Sequence, residues 1–216
     1  MRPVKTRVLP AGDPGTIRLA QRLLRSGQIV AFPTDTVYGI GAHAFQAEAV
    51  AGLYAVKDRP ETKAIPVLVA QMEDLTRVAL GIPPVAWELV ERFWPGGLTL
   101  VLPCAQALPA VVTAGGDTVA VRCPDHPVPL ALISALGAPL AATSANLSGQ
   151  PSPANARQVV VDLAGRVPLI IDGGECPGGV PSTVLDLSVS PPRLLRVGAI
   201  STADLRQVLP DLAKAP

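Results

Sequence analysis

Residues 29 to 44 read IVAFPTDTVYGIGAHA, and the fold turns on how this stretch is taken. The apolar run Ile29-Val30-Ala31-Phe32 predicts a short buried strand, which Pro33 ends because it has no amide proton for the ladder. Thr34, Asp35, Thr36 and Tyr38 then place hydrogen-bonding side chains close together in the chain. Gly39 and Gly41 follow, expected in the loop, where backbone turns tightly or approaches a ligand. A buried strand opening into a hydroxyl-rich, glycine-punctuated loop is a common way for α/β proteins to present binding groups. Taken alone, the segment reads more simply as a polar turn between a strand and a helix. Its neighbours along the chain decide.

Upstream, Arg7 to Pro10 predicts a first strand. Asp13-Pro14 predicts a helix start, a cap followed by proline. Ile17, Ala20, Leu23 and Leu24 supply the helical stripe and Gly27 its stop. Downstream, Ala47 to Val56 resumes the helical period through Val50, Leu53 and Tyr54. A strand is expected at 65–70, helices at 73–80 and 84–93, and a strand at 98–102 after the Trp94-Pro95-Gly96-Gly97 turn. A Gly/Pro-punctuated loop covers 103–117, followed by a strand at 118–122 and a helix at 129–136. The strand at 139–142 ends in Thr143-Ser144-Ala145-Asn146, and Ser152-Pro153 opens a helix to 164. Strands at 169–172, 183–187 and 193–197 and a helix at 202–209 complete the chain. Strands alternate with helices early and pair locally late, which predicts a mixed, twisted α/β sheet in a single domain over 1–216.

The chain has 216 residues, 49% of them apolar but only 3% aromatic, so its core must be aliphatic. A net charge of +1 excludes a general polycation, and any binding of phosphate or nucleic acid must come from a local patch. Cys104, Cys123 and Cys176 are odd in number and widely spaced, which argues against a disulfide framework or a zinc site. His43 and His126 are too few for a histidine-rich metal site. No charged-then-apolar leader opens the chain, so a cytoplasmic protein is expected. The uncharged run after Pro127 is cut by Pro129, Gly137, Pro139 and Gly149, so no membrane span is expected there.

Four lysines occur in all, and two of them, Lys57 and Lys63, flank Arg59 in KDRPETK. That cluster reads either as a solvated basic turn after a helix or as an anion clamp suited to polyphosphate. Ser144 and Asn146 stand where a buried strand exits, placed either to cap a helix or to bind a ligand in the crevice beyond the strand ends. Arg122 ends a strand of Val and Ala, where a charge needs a partner, either a ligand or an internal salt bridge. Ser182 and Arg196 sit similarly on the late strands. Asp172-Gly173-Gly174 and Pro177-Gly178-Gly179 read as turns. No GxxxxGK or GxGxxG phosphate loop and no GxSxG elbow is found. The polar groups suit holding and orienting anions more than covalent catalysis.

FPTDTVYGIGA, KDRPETK, FWPGGLTLVLP, TVAVRCPDHP, TSANLSGQPSP, PSTVLDL and LLRVGAI, in this order, resemble the YrdC-like family of threonylcarbamoyl-AMP synthases. The resemblance runs from about residue 8 to 200 and rests on the ordered set, above all on Lys57/Arg59 with Ser144/Asn146. It implies a twisted open α/β sheet flanked by helices, with a large, positively charged concave cavity. It also implies a reaction of L-threonine, bicarbonate and ATP, with Mg2+ carried by the ATP, to give L-threonylcarbamoyladenylate and pyrophosphate for tRNA modification beside the anticodon. Position by position, Thr36, Arg122, Ser144 and Ser182 would hold threonine, with Thr34 and Tyr38 nearby. Arg59, Lys63, Thr118, Asn146 and Arg196 would hold ATP, with Lys57 and Arg59 acting on the phosphates. Ala154 replaces a threonine frequent in the family, and Leu68 a polar residue near the threonine site. The implied form is the short, single-domain one, reaching tRNA only through downstream transfer proteins. Competing readings are a carbamoyl-adenylate former of the hydrogenase-maturation type, whose acylphosphatase and zinc-finger modules are not found here, and an RNA-binding module using the basic cavity. The scarcity of aromatics for stacking counts against the latter.

Overall fold

The computed structural model describes residues 4–177 and 180–212. Its strands are β1 (Arg7–Pro10), β2 (Val30–Phe32), β3 (Gly39–His43), β4 (Val67–Leu68), β5 (Leu98–Pro103), β6 (Thr118–Arg122), β7 (Leu140–Ser144), β8 (Leu169–Asp172), β9 (Thr183–Asp186) and β10 (Arg193–Arg196). Its helices are α1 (Pro14–Arg25), α2 (Ala47–Lys57), α3 (Pro84–Phe93), α4 (Pro127–Leu136), α5 (Ala156–Leu163) and α6 (Thr202–Arg206). The strands form one mixed sheet in the order β1-β8-β2-β3-β7-β4-β6-β5-β9-β10, so the expected mixed α/β sheet is found.

The opening stretch differs from its sequence reading in one respect. Gly39 and Gly41 lie inside β3, which folds back antiparallel on β2, so residues 33–38 are the tip of a hairpin. Phe32 explains the glycines: a Cβ on Gly41 would lie 2.9 Å from its ring, and one on Gly39 3.4 Å. Neither glycine serves a tight turn. Other boundaries move for local reasons. Pro66 shortens the strand expected at 65–70 to Val67–Leu68. Residues 72–77 form a 3-10 helix, in which Arg77 pairs with Asp74 at 3.0 Å, three residues back. Helix α5 starts at Ala156 because Asn155, not Ser152, is its cap, accepting from the Gln158 amide at 3.1 Å. Helix α6 ends at Arg206, shortly before Pro210. At 172–174 the expected turn is present, with Gly174 at φ 81° donating to Asp172 Oδ1 at 3.0 Å. Gly178 and Gly179 of the second glycine pair lie outside the described residues.

Strand register separates the two faces of the sheet. Ala31, Ile40, Ala42, Ala141, Val67, Val121, Leu100, Leu185 and Leu194 share one face and one large core with α2, α3, α5 and α6. On the other face Leu169, Val30, Phe32, Ala142, Leu140 and Leu68 form a smaller core with α1 and α4. This second cover stops at β4. Beyond it the same row continues through Arg122, Ala120, Val101, Thr99, Val184 and Arg196, of which Ala120, Val101 and Val184 are only partly buried and join neither core. An uncovered strip of sheet remains over β6, β5 and β9.

Gly41→Ala should lower the urea midpoint, because the added methyl meets the Phe32 ring in a closed core, at a cost of about 1–3 kcal/mol. An unchanged midpoint would show that the ring has somewhere else to go.

Candidate functional site

Arg122 stands where the covered part of the sheet meets the uncovered strip. It is 8% exposed, so its charge must be met inside the protein. Its Nε donates to the Gly96 carbonyl at 2.8 Å, one terminal nitrogen to Thr36 Oγ1 at 3.1 Å, and the other to Asp35 Oδ2 at 2.5 Å. Burial lowers its pKa, and the Asp35 carboxylate opposes that shift. An arginine has five N–H donors in a fixed fork, so two remain for a ligand. Thr36 lies 3.0 Å from Thr34, whose hydroxyl donates to the Val37 carbonyl at 2.7 Å and accepts from the Thr36 and Val37 amides. The 33–38 tip is thus locked by its own hydroxyls.

Tyr38 anchors the tip from below. Its hydroxyl donates to the Gly174 carbonyl at 2.7 Å and accepts from the Gly173 amide at 3.1 Å. Burial pushes its pKa up to about 12. It is fully enclosed, and its polar end is spent within the protein. A second group lies on the late strands. Ser182 Oγ is 2.8 Å from Thr99 Oγ1, while Arg196 donates to the Ser182 carbonyl at 3.0 Å and to its Oγ at 3.1 Å. Arg196 is close enough for its charge to depress the pKa of Arg122. Thr118 shares the face of Arg122 but begins β6, which Arg122 ends, about 13 Å along the strand.

A third group closes the exit of β7. Lys57, 2% exposed at the end of α2, donates to the carbonyls of Ser144 and, at 2.6 Å, of Asn146. Burial and the neighbouring Arg59 push its pKa down to about 8, against the pull of Asp162. It is not a solvated lysine. Arg59 folds over the 60–64 turn, donating to the Lys63 carbonyl at 3.3 Å and the Ala64 carbonyl at 3.0 Å, and Lys63 is exposed. Asn146 donates to Leu147 and Gln150 and keeps a buried Oδ1 without a partner. The Ala145 amide donates to the Tyr38 carbonyl at 2.8 Å, which joins this exit to the hairpin tip.

The structure therefore gathers Thr34, Thr36 and Arg122 into one cluster, Ser182 and Arg196 into a second, and Lys57, Ser144 and Asn146 into a third. Thr118 stands apart. Asp35, Thr99 and the Gly96 carbonyl join these clusters, although the family resemblance assigns them no substrate role. Asp35 was open to recognition as the one acid in an otherwise apolar and hydroxyl-rich stretch. Thr99 and Gly96 left no such signal. Of the two departures from the family pattern, Leu68 packs in the smaller core beside Arg122, and the Ala154 amide donates to Gln158 Oε1 at 2.6 Å. Among the described residues no group of three His, Cys, Asp or Glu is placed to hold a metal ion.

Residues 22–198 match the Sua5/YciO/YrdC family model, whose description reads "Telomere recombination". The threonylcarbamoyl-AMP synthase of Bacillus subtilis is 50% identical over 205 residues, covering 93% of this chain and 58% of that protein. That of Pyrococcus abyssi is 46% identical over 200 residues, covering 93% of this chain and 59% of its own length. This chain thus spans less than two thirds of either relative. The crystal structure of P. abyssi Sua5 complexed with L-threonine superposes with a TM-score of 0.91 at 43% identity, over 98% of this chain and 66% of that one. Sheet, motif order and matched span agree, and the chain belongs to the Sua5/YciO/YrdC family.

Proposed function

We propose that the chain is a threonylcarbamoyl-AMP synthase. It joins L-threonine, bicarbonate (reacting as CO2) and ATP into L-threonylcarbamoyladenylate and pyrophosphate, and the product passes to proteins that modify tRNA beside the anticodon. The observation that carries this reading is Arg122: a buried guanidinium with two unused donors, set among the hydroxyls of Thr36 and Thr34 beside an uncovered strip of sheet. A guanidinium fork matches a carboxylate in a bidentate way. The curated relatives carry the same activity in their names, and a related structure holds L-threonine.

In this reading Arg122 takes the threonine carboxylate, and Thr36, Ser144 and Ser182 orient the rest. Arg59, Lys63 and Arg196 meet the phosphates, while Asn146 and Thr118 hold the nucleoside. The separation of Thr118 from Arg122 along β6 suits a nucleotide at one end and an amino acid at the other. We take the strip between them as the floor of the expected positive cavity. The threonine amine adds to CO2, the resulting carbamate oxygen attacks the α-phosphorus, and pyrophosphate leaves. The protein need only align the reactants and neutralise developing charge. ATP would bring its own Mg2+, which would help neutralise the phosphate charge. Lys57 has one N–H left after its two carbonyl bonds. We assign it a single phosphate contact and the fixing of the Ser144–Asn146 exit.

The free thiols of Cys104, Cys123 and Cys176 suit the reducing cytoplasm, where we place the protein. Among the described residues no helix is long and apolar enough to cross a membrane.

Purified chain given labelled bicarbonate, threonine and ATP should form an acid-labile adenylate and pyrophosphate, and should do so only when all three are present. Label that never enters a nucleotide would overturn the reading. Arg59→Ala should slow pyrophosphate release roughly a hundredfold, as loss of a charge-stabilising donor does. Arg122→Lys should raise the KM for threonine far more than that for ATP, and equal shifts would contradict the carboxylate assignment.

Lys57 gives a pH prediction. Its pKa is about 8 in the folded chain against 10.5 unfolded, so between these values the unfolded chain binds more protons. Stability therefore rises with pH through that window. The stability of wild type minus that of Lys57→Met should grow from about pH 8 to 10.5, and a flat difference would mean that the ammonium is not buried as described.

A further inference from the structure

The turn that joins Lys57 to Arg59 is held in a conformation that its residue does not favour. Helix α2 ends at Lys57, and Asp58 follows at φ 53° and ψ 42°, in the left-handed region. Its amide and that of Arg59 both donate to the Tyr54 carbonyl, the latter at 3.0 Å, which closes the helix. Glycine is the usual residue at such a helix end, because a Cβ is costly there. Among the described residues only Ala114, besides glycines, shares a positive φ. An aspartate can ease the strain by bonding its own turn, but here the carboxylate accepts from Arg166 Nη1 at 2.9 Å, across 108 residues. The same nitrogen donates to the Val56 carbonyl at 3.0 Å. Arg166 thus grips the chain on either side of Lys57.

Arg166 is itself fixed. Its amide donates to the Leu163 carbonyl at 3.0 Å, and its neighbours are tied to Thr6, which accepts from the Gly165 amide at 2.8 Å and donates to the Val167 carbonyl at 2.6 Å. On α5, Asp162 accepts from the Leu147 amide at 3.1 Å, next to Asn146. The end of α5 and the corner after it therefore brace both segments that meet at the Lys57 ammonium. We infer that Arg166 is a positioning residue for the phosphate end of the site: through Asp58 and Val56 it holds the left-handed turn that leaves Lys57 buried and lays Arg59 over the 60–64 turn. This rests on the reading of Lys57 and Arg59 as phosphate ligands, and adds to it the residue that sets one relative to the other. With side chains 34% and 66% exposed, the Arg166–Asp58 pair contributes little to stability. What it supplies is geometry. A relaxed turn would let the Arg59 guanidinium drift from its place beside Lys57, and the two cations would no longer meet one triphosphate together.

Steady-state pyrophosphate release, with ATP and threonine varied in turn, tests this in wild type, Arg166→Ala and Asp58→Ala. Each variant breaks the same pair from a different side, so either carries the test if the other fails to fold. Both should raise the KM for ATP about three- to tenfold, the scale of one hydrogen bond with an exposed ion pair, and leave that for threonine unchanged. A merely structural role would lower the amount of active enzyme and move neither KM. Glycine takes the left-handed turn without strain, so Asp58→Gly added to Arg166→Ala should bring the KM for ATP back toward wild type. Equal shifts in the two KM values, no shift in either, or no rescue by glycine would overturn the inference. A wild type that releases no pyrophosphate with threonine, bicarbonate and ATP would instead remove the synthase reading, and this inference with it.

Discussion

A guanidinium buried at the end of a β-strand has to be satisfied, and two separate parts of this chain are shaped to do so. Arg122 draws together the turn before β5 through Gly96 and the tip of the β2–β3 hairpin through Asp35 and Thr36. The hairpin tip is held in turn by Tyr38, whose hydroxyl is clamped between Gly173 and Gly174 and whose carbonyl accepts from Ala145. Breaking a buried pair by removing one partner leaves an uncompensated charge, so these contacts stand or fall together. In the proposed site their consequence would be preorganisation: the donors are already in place, and little ordering would be left to oppose binding.

The position of this network follows from an asymmetry in the sheet. One face is covered along its length by a single aliphatic core, which supplies the rigidity. The other is covered only as far as β4 by α1 and α4. Where that cover ends, the row changes from Leu140 and Leu68 to the buried, polar-bonded Arg122 and the only partly buried Ala120. Rigid strands on one side and open space on the other are what a site that orients several reactants requires. Lys57 does comparable work at the β7 exit, fixing two carbonyls with a buried ammonium.

What the sequence disclosed was whatever local signals could carry. The strand 118–122 and the capped start of α1 at Asp13-Pro14 match their readings because alternation, capping and proline act within a few residues. Strand β3 escaped because its glycines answer to the ring of Phe32 across the hairpin, a relation visible only once the strands are paired. Arg122 was read correctly as a charge in need of a partner, but the partner lies 87 residues away, and no periodicity links the two. Lys57 is open to two readings in sequence, a solvated basic turn or an anion clamp, because its placement against the end of β7 is something the sequence does not say. The assignment of roles to substrates came from resemblance to a family, and the geometry adds only that Asp35 and Thr99 support Arg122 and Ser182.

The central claim is that the Arg122 network is an amino-acid site. A crystal structure of the chain with L-threonine and a non-hydrolysable ATP analogue tests it most directly. The account predicts the threonine carboxylate on the two free N–H groups of Arg122 and the triphosphate toward Arg59 and Lys63. Threonine bound elsewhere, with the Arg122–Asp35 pair untouched, would contradict it.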